Sequence, residues 1–186
     1  MTTAIDPVAE STDESDISDI DPDLELYPSN EPEPGSPPGT LIIDEESGIP
    51  KIFVIDYTPQ EATGKLLATP EECQPYLVSD AVSWIDVQGL GSEEVLQRLG
   101  KVFDLHPLML EDVVNIPQRA KVEEYPDRLF LILHMVTPKP DGKGFRSEQV
   151  SFILTNRYLL TVQEEPEIDV FEPVRQRIHK NKGIIR

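Results

Sequence analysis

The stretch from His106 to Val136 places the strongest constraint on the fold, because it joins a short helix, a charged extended segment and the most apolar strand of the chain. His106-Pro107 is expected to open the helix, since proline fits the first helical position, where its missing N–H would have had no partner. Pro117 is expected to end it. The residues expected to turn inward are Leu108, Leu110, Val113 and Val114.

Glu111 and Asp112 are adjacent acids that are expected to project from the polar side of this helix. One interpretation is a solvated helix face, because acids near the positive end of a helix are stabilised there. The other interpretation is half of a site for a hard cation such as Mg2+, completed by oxygen ligands from elsewhere. Spacing alone does not decide between the two.

Charge is distributed unevenly along the chain, which has 186 residues and is long enough to bury a core. The net charge is −19; residues 1–40 contain eleven Asp or Glu and no Lys or Arg, and residues 41–186 carry −8. Such a surface argues against a nucleic-acid partner, because phosphate binding draws on clustered Lys and Arg. Cations are the more natural ligand.

Residues 1–39 are predicted to be a disordered, acidic tail rich in Pro and Ser, and residues 40–186 a single folded domain. The amino terminus lacks the basic start and the apolar run of a secretory signal. The longest apolar run, LFLILHMV, has eight residues, whereas a membrane-spanning helix needs about 20. A single cysteine, Cys73, allows no intramolecular disulfide and fits a reducing compartment. We therefore expect the chain, as given, to be soluble.

The first part of the predicted domain contains strand and turn patterns. Residues 41–58, LIIDEESGIPKIFVIDYT, predict two short strands joined by a turn at Ser47-Gly48. Residues 70–76 predict a short helix with Thr69 as its cap and two glutamates in its first turn. Residues 82–90, VSWIDVQGL, are apolar almost throughout and predict a strand buried on both faces, with Trp84 in the core.

In the second part of the predicted domain, two helices are followed by a run of strands and a closing helix. Ser92 is expected to cap a helix whose apolar stripe comprises Val95, Leu96, Leu99, Val102 and Phe103. Extended segments are then predicted for RAKVEEY, RLFLILHMV, RSEQVSFILT and RYLLTVQEE, with a hairpin loop at PKPDGKG. A closing helix is predicted from about Val170. The residues expected on its solvated basic face are Arg175, Arg177, Lys180 and Lys182.

This order of elements indicates an α/β protein. Hairpin-connected strands interrupted by helices predict a mixed, largely antiparallel sheet with helices on both faces, an α/β/α layered domain. A doubly wound nucleotide fold is not indicated, because strands and helices do not alternate regularly and no glycine-rich phosphate loop is present.

The run HPLMLEDVVNIPQRAKVEEYPDRLFLILHMV, followed by SEQVSFILT, YLLTVQEE and FEPVRQRIHKNKGIIR, resembles the amino-terminal cytoplasmic domain of CorA-type divalent-cation transporters. The resemblance covers about residues 82–186. It implies an α/β/α regulatory domain, at the cytoplasmic face of the membrane, of a homopentamer that admits Mg2+ and Co2+ and senses intracellular Mg2+ between protomers. It also implies that the chain is a fragment, because the family continues through a stalk helix into two transmembrane helices.

The resemblance implies roles for the acid pair as well. Asp112, with Glu111 beside it, matches the carboxylates that this domain contributes to the interprotomer Mg2+ site. The opposing acids are expected from the stalk helix of a neighbouring protomer. No catalytic role and no organic cofactor is implied.

Two alternatives remain open from the residues. One is the cytoplasmic domain of a Zn2+ transporter of the ZntB kind, although His106, His134 and His179 lack the paired spacing of zinc ligands. His106 is instead expected to be a helix-entry residue and His134 a core-strand residue. The other alternative is a stand-alone soluble metal-binding scaffold or metal-dependent hydrolase, for which no motif places a nucleophile or a general base.

Overall fold

The computed structural model describes residues 35–43, 47–140, 142–165 and 169–182. The predicted acidic tail therefore lies outside the described residues, apart from residues 35–39. Within the described part the elements are β1 (Lys51–Tyr57), β2 (Ala62–Leu67), a 3-10 helix (Pro70–Leu77), β3 (Val82–Gln88), α1 (Glu93–Val102), α2 (Pro107–Val114), β4 (Lys121–Tyr125), β5 (Arg128–Pro138), β6 (Phe145–Leu154), β7 (Tyr158–Gln163) and α3 (Glu172–His179).

The seven strands of the described residues form one sheet in the order β2-β1-β3-β7-β6-β5-β4. The pairing of β3 with β7 is parallel and lies near the centre of the sheet, whereas the other pairings are antiparallel. A parallel pair needs a crossover between its strands. Here the crossover contains α1, α2 and the strands β4 to β6. The predicted mixed, largely antiparallel sheet is confirmed.

Helices cover both faces of this sheet. Successive side chains of a strand point to opposite faces, and on β3 the buried neighbours Trp84 and Ile85 belong to different apolar clusters. Ile85 lies in the cluster that contains residues of α1, α2 and the 3-10 helix. Trp84 packs with Phe171, which directly precedes α3, and with Ile178, which lies within α3. The α/β/α arrangement is therefore confirmed, as are the burial of β3 on both faces and the place of Trp84 in the core.

Local chemistry explains how α1 and α2 begin and why they pack closely. The Ser92 hydroxyl accepts a hydrogen bond from the Val95 N–H at 3.4 Å, which confirms the predicted cap. His106 Nδ1 accepts from the Leu108 N–H at 3.2 Å, so the predicted helix-entry residue is the cap of α2. Gly100 allows the close approach, because a Cβ there would lie 2.9 Å from Leu110 Cδ2.

The predicted strand pair over residues 41–58 is half wrong. Its second half is β1, but residues 41–43 form no strand and residues 44–46 lie outside the described range. The strand that pairs with the outer side of β1 is β2, from Ala62 to Leu67. β2 was hidden in the sequence because it is a largely exposed edge strand, so its backbone pairing with β1, rather than an apolar pattern, determines its conformation.

Three smaller predictions also need correction. The helix at Pro70 is a 3-10 helix and the side chain of Thr69 does not cap it; Pro75 lies inside it and cannot donate a helical hydrogen bond. Leu108 is 46% exposed, whereas Met109 is buried. Leu108 lies four residues before Asp112 and therefore shares its polar face. His134 lies on β5 but is exposed rather than in the core.

Arg175 does not belong to a solvated face. Its side chain is 11% exposed, and its Nη1 lies 2.8 Å from Oδ2 of Asp86, which is 3% exposed. The same guanidinium pairs with Asp169 and contacts Glu172. Asp86 also accepts hydrogen bonds from Thr161 and Gln163 of β7, so this buried carboxylate joins β3, β7 and α3.

We predict that Arg175→Met lowers the free energy of unfolding by about 3 kcal/mol, because it leaves the Asp86 carboxylate buried without its counter-charge. Urea denaturation followed by circular dichroism measures this change. Arg177→Met, at an exposed position of the same helix, is the matched control and should change stability by less than about 0.5 kcal/mol. Equal effects of the two substitutions would contradict the structural role of Arg175.

Candidate functional site

Glu111 and Asp112 lie next to each other on α2, and both are half-buried. The buried stripe of the helix consists of Met109, Leu110, Val113 and Val114. The two acids therefore lie outside the core, as predicted. Their side chains have different neighbours and share no hydrogen-bond partner among the described residues.

Glu111 contacts the segment that precedes β1. Its Oε2 accepts a hydrogen bond of 2.6 Å from the backbone N–H of Gly39. Gly39 has φ +85, and a Cβ at this position would lie 2.8 Å from Cβ of Pro107. Only glycine fits such a backbone so close to the start of α2. The Glu111 carboxylate thus has a structural role, since it holds residues 35–43 against α2.

Asp112 forms an ion pair with the edge strand β4. Its Oδ2 lies 2.7 Å from Lys121 Nζ, and the two side chains are 26% and 27% exposed. Lys121 Nζ also lies 2.8 Å from Glu123 Oε1, and the Tyr125 hydroxyl donates to the other oxygen of Glu123 at 3.1 Å. Two carboxylates and one ammonium group therefore lie together at the surface beside α2.

The backbone near Asp112 is held as well. Gln149 of β6 donates from Nε2 to the carbonyl of Asp112 at 3.3 Å, and its Oε1 accepts from the Gln118 N–H at 2.7 Å. One buried amide side chain thus joins the end of α2 to the chain that leads into β4. Because Gln149 belongs to the sheet, these contacts hold the backbone at Asp112 against it.

Charge pairing changes the proton affinities of the groups around Asp112. Burial lowers the pKa of Lys121, but its hydrogen bonds to Asp112 and Glu123 outweigh burial and raise that pKa above its usual value. The hydrogen bond from Lys121 lowers the pKa of Glu123. The ammonium and the Glu123 carboxylate consequently keep their charges near neutral pH.

The geometry of the described residues does not bring three metal ligands together within one chain. Among the described residues, no group of three or more His, Cys, Asp or Glu side chains is placed to hold a metal ion. His106 caps α2, His134 Nε2 lies 2.8 Å from the carbonyl of Gln118, and His179 lies beside Gly64. Burial raises the pKa of Cys73 to about 12, so that thiol is not a ready thiolate ligand.

Lys121 and Glu123 are the neighbours of Asp112 that sequence reasoning missed. Lys121 follows Asp112 by nine residues, across the end of one element and the start of another, so no helical or strand periodicity relates them. The signal available in the sequence was charge alone, a Lys followed by Glu123 and Glu124 in an extended segment.

A second carboxyl group with unusual chemistry lies away from α2. Glu148 of β6 is 3% exposed, and its Oε2 has no hydrogen-bond partner among the residues that the structure describes. Burial raises the pKa of Glu148 from 4.5 to about 7; the Glu165 N–H bond opposes this, and the nearby Glu164 and Glu165 carboxylates add to it. Burial also raises the pKa of Glu164. This end of β6 and β7 therefore favours protonated carboxyl groups.

The raised pKa makes stability depend on pH. The folded protein binds the Glu148 proton more tightly than the unfolded chain does, so the resulting stabilisation is complete below about pH 4.5, falls as pH rises and is lost above about pH 7. Each pKa unit corresponds to about 1.4 kcal/mol.

We predict that Glu148→Gln raises the free energy of unfolding by up to about 3 kcal/mol at pH 8 and leaves it nearly unchanged at pH 4.5. The substitution removes the cost of a buried charge that arises only when Glu148 is ionised. Thermal or urea unfolding across this pH range measures the difference. Glu124→Gln, at an exposed acid, should show no such trend, and a pH-independent effect of Glu148→Gln would contradict the assignment.

Comparison with solved structures bears on the fold. The structure of the full-length CmaX protein matches with a TM-score of 0.56 at 12% sequence identity. The match covers 72% of this chain and 40% of the CmaX chain. The soluble domain of CorA from Methanocaldococcus jannaschii has a TM-score of 0.46 at 15% identity, covering 79% of this chain and 50% of that chain. At such identities, the likeness to CmaX supports the architecture alone.

Comparison with known sequences is more specific. The cobalt/magnesium transport protein CorA of Thermotoga maritima is 40% identical over 153 residues, which are 82% of this chain and 43% of that protein. This chain thus spans less than half the length of that relative. None of the helices among the described residues has the length and apolar character needed to cross a membrane.

A family model described as CorA-like Mg2+ transporter protein matches residues 79–185, which are more than half of the chain and include Glu111 and Asp112. The chain therefore belongs to this family.

Proposed function

We propose that this chain is the cytosolic regulatory domain of a homopentameric Mg2+/Co2+ transporter, and that Asp112, with Glu111 beside it, contributes to a Mg2+ site between protomers. The observation that carries the proposal is a partly exposed carboxylate, Asp112, in the part of the chain that matches the CorA-like family. The relative from Thermotoga maritima is named for cobalt and magnesium transport. In this proposal the domain has no catalytic activity.

Magnesium chemistry is compatible with such a site. Mg2+ prefers oxygen ligands, gives up water reluctantly and is often bound through one or two carboxylates with several waters retained. Asp112 supplies one carboxylate oxygen after release from Lys121, and Glu123 lies close to the same ammonium. The described residues of one chain do not assemble three metal-binding side chains. The other ligands of the Mg2+ ion would therefore come from a neighbouring protomer or from water.

Regulation follows from charge. Carboxylates of two protomers repel each other when no cation lies between them, whereas a bound dication attracts both. A cation that binds the closed assembly better than splayed arrangements shifts the population toward the closed state. Because several equivalent sites act together in a ring, a total binding free energy difference of a few kcal/mol would suffice to shift this equilibrium. The acidic domain, which carries −8 over residues 41–186, suits a cation as the effector.

The zinc alternative has less support from the structure. Among the described residues the three histidines have different neighbours: His106 caps α2, His134 contacts the Gln118 carbonyl, and His179 lies beside Gly64. Zinc sites in proteins draw on His and Cys ligands, and the pKa of the single cysteine is raised to about 12.

We predict that a chimera in which this chain replaces the matching segment of the Thermotoga maritima relative takes up Co2+ and is inhibited by internal Mg2+. Asp112→Ala in this chimera should raise the Mg2+ concentration needed for half-inhibition by roughly ten-fold, as expected if about 1.4 kcal/mol of binding free energy is lost. Uptake into proteoliposomes loaded with different Mg2+ concentrations gives this value.

Glu124→Ala is the control for that experiment, because Glu124 is an exposed acid on β4 and its loss changes the net charge by the same amount. Its half-inhibition should match that of the parent chimera. Identical Mg2+ inhibition of the parent and Asp112→Ala chimeras would overturn the proposed function.

A further inference from the structure

The Asp112 carboxylate already holds a cation that belongs to the protein. Lys121 Nζ lies 2.7 Å from Asp112 Oδ2 and 2.8 Å from Glu123 Oε1. Both distances are those of charge-assisted hydrogen bonds. In this arrangement the ammonium group occupies the position next to Oδ2 that a metal ion bound to this oxygen would need.

The backbone and a neighbouring ring fix the position of this ammonium. Lys121 lies opposite Ile132 in the pairing of β4 with β5, and its Nζ lies 5.6 Å from the centre of the Phe130 ring. Glu123, on the same strand, is held in turn by the Tyr125 hydroxyl. Lys121 therefore acts as a cation attached at a defined distance from Asp112, not as a freely moving surface side chain.

Direct coordination of a divalent cation by Asp112 Oδ2 competes with this ion pair, and a cation at Oδ1 of the same carboxylate would be repelled by the nearby ammonium group. Mg2+ lies about 2.0–2.1 Å from its oxygen ligands, so the metal and the ammonium would compete for the same oxygen and repel each other at short range. Lys121 can move away without losing all of its neighbours, because Glu123 remains as a counter-charge. Metal binding thus exchanges one cation for another at Asp112.

We propose that Lys121 is a tethered competing cation that determines how much Mg2+ is needed to occupy Asp112. This inference rests on the proposed function, because it concerns the same site. When only a fraction of molecules has a free carboxylate, the apparent dissociation constant rises in inverse proportion to that fraction. The ion pair thereby moves the response of the site to higher Mg2+ concentrations without changing the ligands themselves.

The test uses the 186-residue chain and Mg2+ alone. Backbone amide NMR shifts of residues in α2, followed over roughly 0.1–20 mM Mg2+ at constant ionic strength, a range around the weak end of carboxylate sites, give the midpoint of binding. Lys121→Met removes the ammonium and keeps a flexible apolar stem over Phe130. We expect it to lower the Mg2+ midpoint roughly two- to five-fold, as for a partly exposed ion pair.

Two further variants separate charge from shape. Lys121→Arg keeps a cation on β4 and should leave the midpoint within about two-fold of the wild-type value. Lys65→Met removes the same charge from an exposed pair with Glu72, whose N–O distance is 3.0 Å, and should leave the midpoint unchanged. Equal shifts for Lys65→Met and Lys121→Met would mean that net charge alone acts and would overturn the inference.

Asp112→Asn distinguishes failure of the inference from failure of the proposed function. If it abolishes the Mg2+-dependent shifts of α2 while Lys121→Met leaves the midpoint at the wild-type value, the site stands and the competing role of Lys121 is wrong. If Asp112→Asn binds Mg2+ as the wild type does, the site itself is wrong and both proposals fall. If neither the wild type nor Lys121→Met binds Mg2+, the inference about Lys121 falls, whereas the proposed function, whose remaining ligands come from a neighbouring protomer, is decided by the chimera.

Discussion

The parallel pairing of β3 with β7 is the constraint on which the rest of the fold depends. Parallel neighbours cannot be joined by a tight turn, so the chain makes a long excursion through α1, α2 and β4 to β6 before it returns as β7. The buried Asp86 carboxylate links the two paired strands and receives the Arg175 guanidinium from α3. The helix on one face is thereby tied to the centre of the sheet, while the excursion places α2 on the other.

The location of the acid pair follows from the same excursion. α2 packs its apolar stripe on the sheet and is followed directly by the edge strand β4, so Asp112 comes to lie beside Lys121. Glu111, one residue earlier, faces the segment that carries Gly39 and holds it through a hydrogen bond. Two adjacent carboxylates thus have different neighbours, Glu111 the Gly39 N–H and Asp112 the ammonium group of Lys121 at the surface.

Local patterns predicted those elements whose burial is visible along the chain. The continuous apolar run of β3, the Ser92 cap of α1 and the proline at the start of α2 all appear where expected. Elements determined by distant partners were missed. β2 owes its conformation to β1, and Arg175 is buried because Asp86, 89 residues away, lies beneath it. The acid pair was predictable because both residues belong to one short helix. Its neighbour Lys121 was not, because it lies on a different element and meets Asp112 only in the folded structure.

Sedimentation velocity of the 186-residue chain, first in EDTA and then over roughly 1–20 mM Mg2+, tests most directly whether a divalent cation bridges protomers through Asp112. The account predicts that Mg2+ increases the sedimentation coefficient of the wild type and not of Asp112→Ala. Identical sedimentation of the two proteins at every Mg2+ concentration would contradict a cation-bridged contact built by this domain.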